Sequence, residues 1–308
     1  MSPAPFSRDR IVLDTGVARA EVGLVAAVLC DLSVGGVRLT ETVPRDAITP
    51  MGCGIVLAPW PNRVRDGRWT HEGETQQLDL TDPKLGSASH GLLRNTAYRV
   101  IEQTDAAVTL GALIPAQHGW PFSLDTWVRY ALEDDGLTVT HGVRNLTDGP
   151  AVWAVGAHPY FRIGETPVEL LTIRVDRPQY LELDDRLLPV GAKSVERTRF
   201  DLRQARPLGE VDINTAYGDL EAFIGRSEAA WLESPDGSRL ALWLDEDFDW
   251  IQVYTPRDFP RAEGPGIAVA IEPMTAAPDA LNSGWGLTHL AAGESWEGSW
   301  GVKYTPAP

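Results

Sequence analysis

The stretch Asp135-Gly136-Leu137-Thr138-Val139-Thr140-His141-Gly142-Val143 decides how the rest of the chain is read. Leu137, Val139, His141 and Val143 alternate with Thr138, Thr140 and Gly142, the period of two that turns one face of a strand inward and the other outward. The Asp-Gly pair ahead of them supplies the backbone that a tight hairpin needs. The same grammar recurs at Gly35-Gly36, Asp66-Gly67, Glu72-Gly73 and Asp236-Gly237, the last followed by alternating Leu240, Leu242 and Leu244. Trp250-Ile251-Gln252-Val253-Tyr254 is a further β-branched and aromatic run. With 29 glycines and 23 prolines in 308 residues, above the average share of about 12%, turns come too often for long helices. The expected fold is all-β: a large antiparallel β-sandwich with few, short helices.

No Ser, Gly or Pro tract is long enough to be a linker, and no charge block or fixed-period repeat divides the chain, so residues 1–308 read as a single domain. The net charge of -16 repels polyphosphate backbones and anionic membrane surfaces, which excludes nucleic acid and membranes as partners. Cys30 and Cys53 are too few for a disulfide framework and are expected as buried thiols. The run Gly23-Leu24-Val25-Ala26-Ala27-Val28-Leu29-Cys30 has a passing likeness to a lipoprotein leader. It is short and follows the acidic Asp14 and Glu21, so it reads instead as a buried strand. With no apolar run approaching about 20 residues, the expected location is cytoplasmic.

The six histidines include no pair four residues apart, and neither cysteine lies in a C-x-x-C, so neither metal nor cofactor is expected. Gly52-Cys53-Gly54 and Gly264-Pro265-Gly266 read as turns. Two residues stand out as an acid and a base. His158 lies in Gly156-Ala157-His158-Pro159-Tyr160-Phe161, between a glycine and a stiffening proline and beside two aromatic rings. Glu272 follows the apolar run Ile267–Ile271, on or just beyond a buried strand, where burial raises a carboxyl toward a useful base. Trp60-Pro61-Asn62-Arg63-Val64 sets an amide and a planar guanidinium beside an indole, a combination suited to paired sugar hydroxyls and an apolar sugar face. His90 precedes a glycine that permits close approach, and Asp212 lies at a turn. From the 11 tryptophans, 7 tyrosines and 7 phenylalanines, Trp60, Phe161 and Tyr254 are expected as pocket walls because they adjoin these motifs.

Taken together, these motifs resemble the aldose 1-epimerase, or galactose mutarotase, family. Asn62-Arg63-Val64, His90-Gly91, the His158 motif, Gln252-Val253-Tyr254-Thr255, and Glu272 with Pro278-Asp279-Ala280-Leu281-Asn282 carry the likeness, which runs from about Val12 to Tyr304. It implies a β-supersandwich with a cleft on one curved sheet, Glu272 as base and His158 as acid. It also implies that Arg63, His90 and Asp212 hold hydroxyls of a small sugar, in a monomer or homodimer. The implied reaction interconverts the α and β anomers of a free hexose. A second reading takes Arg63, Arg65, Arg68 and Arg94 as facing the cleft together, which would suit a phosphorylated or sulfonated aldose. A third makes Glu272 and Asp212 the carboxylates of a glycoside hydrolase, and a fourth keeps the cleft as a non-catalytic sugar-binding or regulatory module.

Overall fold

The computed structural model of the protein describes residues 10–45, 49–219 and 227–308. Two large antiparallel sheets dominate it. The first has nine strands in the order Arg99–Gln103, Ala107–Ile114, Leu124–Glu133, Gly136–Asn145, Ser295–Thr305, Arg239–Leu244, Ser227–Glu233, Thr172–Val175 and Arg206–Pro207. The second has eight strands, running from Pro189–Ser194 through Gln179–Leu183, Asn214–Gly218, Trp250–Tyr254, Val269–Met274 and Gly156–Ala157 to Val56–Leu57. Its eighth strand, Tyr160–Phe161, also pairs with Val269–Met274. A four-stranded sheet, Arg10–Asp14, Ala18–Gly23, Leu29–Val34 and Val37–Arg38, precedes both in the chain. The α-helix among the described residues is Ala280–Ser283, and no described helix is long and apolar enough to cross a membrane.

Alternation does the sorting. Leu137, Val139, His141 and Val143 are buried in the strand Gly136–Asn145, while Thr138 and Thr140 remain partly open to solvent. A Cβ at Gly142 would sit 2.0 Å from the indole of Trp127, so the bare glycine is what allows that ring to lie on the sheet. Four of the five turn pairs join strands that pair with each other: Gly35-Gly36, Glu72-Gly73, Asp135-Gly136 and Asp236-Gly237. Asp66-Gly67 differs. Both residues have positive φ, but the strands on either side, Arg63–Arg65 and Arg68–His71, pair with Ser87–Ser89 and Glu74–Gln77 instead.

The apolar run before Cys30 is a correction to the sequence reading. It is buried, but it is the corner between two strands and not one strand. Ala18–Gly23 ends at Gly23, Ala26 and Ala27 take left-handed φ of 57° and 47°, and Leu29–Val34 begins the return. The Tyr130 hydroxyl donates to the Ala27 carbonyl at 2.6 Å and ties this corner to the nine-stranded sheet.

The eight-stranded sheet has two different faces, and this is what positions the site. Val269, Ile271, Ile251, Val253 and Phe161 belong to the main core, which draws on residues from Leu13 to Tyr304. Ala270 and Tyr160, and separately Met274, Trp250 and Ala216, form two small clusters on the opposite face. Glu272, two residues from both Ala270 and Met274, shares that second face.

Candidate active site

Glu272 lies inside the strand Val269–Met274. Two short strands flank its row: Gly156 pairs with Met274, and Tyr160 pairs with Ala270. His158 falls between them. Its backbone is fixed on both sides, donating to the Ile55 carbonyl at 3.0 Å and accepting from the Gly54 amide at 2.8 Å. The imidazole Nε2 is 3.4 Å from Glu272 Oε1. Tyr160 stacks on the imidazole at 5.2 Å between centroids, and His90 meets it edge-on at 5.4 Å.

One local unit delivers Asn62, Arg63 and His90. The strand Arg63–Arg65 pairs with Ser87–Ser89, and the His90 amide donates to the Asn62 carbonyl at 2.8 Å. Asn62 and His90 both take left-handed backbones, with φ of 54° and 63°. Gly91, with φ of 74°, passes so near Ala58 that a Cβ would stand 2.0 Å from the Ala58 carbonyl oxygen. Only glycine fits there, which gives a physical reason for the His90-Gly91 pair.

The couple is dry. Glu272 is 2% and His158 5% exposed. Burial pushes the Glu272 carboxyl well above its ordinary range, opposed by the nearby Arg63 guanidinium. Burial also drags the His158 imidazole down to about 4, and Arg63 adds to that fall. His90 is held well below the usual histidine range by burial, by His158 and by Arg63. Glu272 Oε2, His158 Nδ1 and His90 Nδ1 are buried with no hydrogen-bond partner among the described residues. Buried polar atoms without partners are costly, and these three belong to the couple and to the ring that meets it edge-on. No cluster of three or more His, Cys, Asp or Glu able to hold a metal occurs among the described residues.

A chain of side-chain amides runs outward from the couple. Gln252 is the direct strand partner of Glu272. It accepts from Asn62 Nδ2 at 3.3 Å and donates to Asn214 Oδ1 at 2.7 Å. Asn214 and Tyr254 are cross-strand partners, and both line a cavity of about 510 Å³ together with Asp212, Tyr180 and Phe200. That volume lies within the range of about 300–1,000 Å³ usual for small-molecule sites. Asp212 is exposed at the cavity, just before the strand Asn214–Gly218.

Two of the expected pocket walls are elsewhere. Trp60, 2% exposed, packs in the main core with its ring 5.6 Å from that of Trp120. Phe161, 1% exposed, pairs with Val269, and this register sends it to the core face while Tyr160 takes the face of Glu272. Proximity in sequence misled the reading because neighbours in a strand point to opposite sides. Tyr254 has the same parity as Gln252 and does line the cavity. The four arginines do not act as one group: Arg63 and Arg94 both lie near enough to lower His90, but all four also have partners of their own. Arg63 pairs with Asp82, Arg65 with Asp184 and Asp279, Arg68 bonds to Gln77, and Arg94 donates to the Ser89 carbonyl. Tyr160, Gln252 and Asn214 were not among the expected site residues. The two-residue spacing of Gln252 from Tyr254, and of Asn214 from Asp212, was the available signal.

The family model for aldose 1-epimerase matches residues 40–303, which include every residue placed at the site above. The chain belongs to the aldose 1-epimerase family. It is 29% identical to protein YihR of Escherichia coli K12 over 293 residues, 94% of this chain and 91% of YihR. It is 26% identical to the aldose 1-epimerase of the same organism over 212 residues, 66% of this chain and 60% of that enzyme. Among solved structures, an aldose epimerase homologue from C. elegans superposes with a TM-score of 0.85 at 18% identity, covering 97% of this chain and 99% of that one. The last likeness establishes the galactose mutarotase-like β-sandwich fold of this aldose 1-epimerase family member.

Proposed function

We propose that this protein interconverts the α and β anomers of a free aldohexose by acid/base ring opening and closure, with Glu272 and His158 as the reacting couple. The observation that carries this reading is the 3.4 Å approach of His158 Nε2 to Glu272 Oε1 in a buried site where Oε2 has no partner among the described residues. The two exchanging oxygens of a pyranose, the anomeric hydroxyl and the ring oxygen, share one carbon. An acid and a base this close can therefore serve both.

The couple holds one proton, because burial disfavours both the carboxylate and the imidazolium. Placed on His158, that proton leaves Glu272 free to take the anomeric proton while His158 protonates the ring oxygen. The O1–H bond breaks, C1=O1 forms, the C1–O5 bond breaks and O5–H forms. The open-chain sugar then faces a carboxylic acid carrying the former O1 proton and a neutral imidazole whose proton is now on O5, so the couple again holds one proton. Rotation about C1–C2 presents the second carbonyl face, and the reverse transfers close the other anomer. Burial by itself favours the uncharged placement. Arg63 opposes the rise of the Glu272 carboxyl but also lowers the His158 imidazole, so its charge acts both ways; the anomeric hydroxyl donating to the carboxylate is what tips the couple toward the reactive form.

Arg63, His90, Asn62, Asp212 and Tyr254 are assigned to sugar binding, the last two from the cavity wall. Glu272→Gln tests the proposal: anomer exchange followed by NMR falls by about 10² to 10⁴ if proton transfer runs through this carboxyl. Exchange at the wild-type rate in a folded variant overturns it.

A further inference from the structure

The amide chain beside the couple has a direction, and the direction is not arbitrary. Asn and Gln amides are symmetric in shape, so one alone could face either way. Here the chain is anchored by a donor that cannot reverse. The backbone N–H of Arg63 donates to Asn62 Oδ1 at 2.9 Å, and the Arg63 guanidinium lies 3.5 Å from the same oxygen. Asn62 must therefore turn its NH2 outward, to Gln252 Oε1, and Gln252 must turn its NH2 to Asn214 Oδ1. Each link fixes the next. Asn62 and Gln252 are buried, while Asn214 is partly open at the cavity.

We infer that Asn214 is a specificity-determining residue that presents its NH2 to the cavity as a hydrogen-bond donor, and that Gln252 is the positioning residue that sets this polarity. Asp212, two residues earlier and exposed at the same cavity, offers only acceptors when ionised. The wall thus carries an acceptor and a donor on one short segment. The matching ligand is a pair of neighbouring hydroxyls, one donating to Asp212 and the other accepting from Asn214. Gln252 is also the strand partner of Glu272, so the segment that reads the hydroxyl pair is held at a fixed offset from the reacting couple. This rests on the sugar reading above for the occupant of the cavity, though not for the direction of the chain.

Two experiments test it. The first uses the sugar-free protein and ¹⁵N NMR of side-chain amides. The NH2 groups of Asn62 and Gln252 should be protected from solvent exchange, and that of Asn214 should exchange rapidly. Protection of the Asn214 amide equal to that of Gln252 overturns the direction, whatever the protein catalyses. The second follows anomer exchange of D-glucose, D-galactose and their monodeoxy analogues by Asn214→Asp and Asn214→Leu. Asp keeps the acceptor toward Gln252 and changes only the outward atom, while Leu removes the donor without adding charge and also takes the acceptor from Gln252, a loss common to every sugar.

Losing one such bond should raise KM by about tenfold with kcat little changed. The monodeoxy sugar lacking the hydroxyl that meets Asn214 should show only the common loss between wild type and Asn214→Leu. A fall in kcat at unchanged KM, or an equal loss for every sugar, overturns the assignment. If the wild type exchanges none of these sugars, the proposed function fails, and the NMR result still decides the polarity of the chain.

Discussion

Gln252 sits directly across the strand pair from Glu272, and through Gln252 the buried carboxyl is joined to both ends of its own site: Asn62 beside Arg63 on one side, Asn214 at the cavity on the other. A strand register, fixed by backbone pairing, thereby fixes the spacing between the proposed reacting group and the groups assigned to sugar binding. Among the described residues the carboxyl has no ion pair with a lysine or arginine to lock its rotamer, and its polar neighbour is the imidazole 3.4 Å away. Its orientation depends on the sheet.

Glu272→Gln should do more than lower activity. The folded carboxyl titrates well above the value of 4.5 that an unfolded chain shows, so its contribution to stability is complete below that value and is lost as pH rises toward the folded one. Glutamine does not titrate. The variant should therefore melt progressively higher than wild type as pH rises from about 4.5, with the difference vanishing in acid. Calorimetric scans from pH 4 to 9 check this, and a gap that shrinks with rising pH contradicts it.

The rate profile should be broad. Opposite shifts of the two groups widen the window in which the couple holds one proton. The acid limb of kcat/KM should fall near pH 4, where His158 takes a second proton, and the alkaline limb well above the usual carboxylate range. The reference values of about 4.3 and 6.5 alone would suggest a narrower bell. Loss of activity on going from pH 7 to pH 5 would speak against the shifts.

Phe161→Ala and Tyr254→Ala should separate core from cavity. Phe161 is fully buried between the sheets, so its truncation should cost about 3–5 kcal/mol of unfolding free energy. Tyr254 lines the cavity, and its loss should raise KM about two- to tenfold with a smaller effect on stability. Urea titrations and steady-state anomer exchange on the same preparations distinguish the two, and reversed effects would mean the strand parity is wrong.

His141 should make the fold sensitive to acid independently of the site. It is buried, accepts from the Trp300 indole at 3.0 Å, and is pushed by burial down to about 3. The unfolded chain takes up a proton near 6.5 and the folded one does not, so stability falls as pH drops from there toward 3 by about 1.4 kcal/mol per pH unit. His141→Gln keeps an acceptor for the indole and should flatten that slope, as read from melting temperatures between pH 6.5 and 4.

Gly91→Ala should damage the site through the backbone. At φ of 74° with the Ala58 carbonyl in the way, an added methyl should cost more than about 1 kcal/mol and displace His90 from His158. Lowered melting temperature together with reduced exchange is the expected result, and a fully active, equally stable variant would contradict it.

Much of this was legible in the sequence because it depends on local rules. Alternation named the inward faces of Gly136–Asn145 and Arg239–Leu244, and four turn pairs named hairpins, since period and turn chemistry are properties of a few adjacent residues. The motifs around His158 and Glu272 singled out the two members of the couple. Asp66-Gly67 shows the limit: a turn pair states that the chain reverses, not which strands then pair. The corner at Ala26-Ala27 shows another, because left-handed alanines in an apolar run leave no compositional mark.

What only the tertiary structure decided is which residues share a face across strands distant in the chain. Trp60 and Phe161 adjoin the right motifs and point into the core, while Tyr160, Gln252 and Asn214 are brought beside the couple by strand registers between segments distant in the chain, such as Tyr160 with Ala270 and Gln252 with Glu272. The amino-acid sequence by itself pointed to the sheets and to the two members of the buried couple, through periodicity and residue chemistry. Cross-strand pairing determined the polarity of the site and the protonation of its couple, because hydrogen-bond direction and desolvation exist only once remote segments are brought into contact.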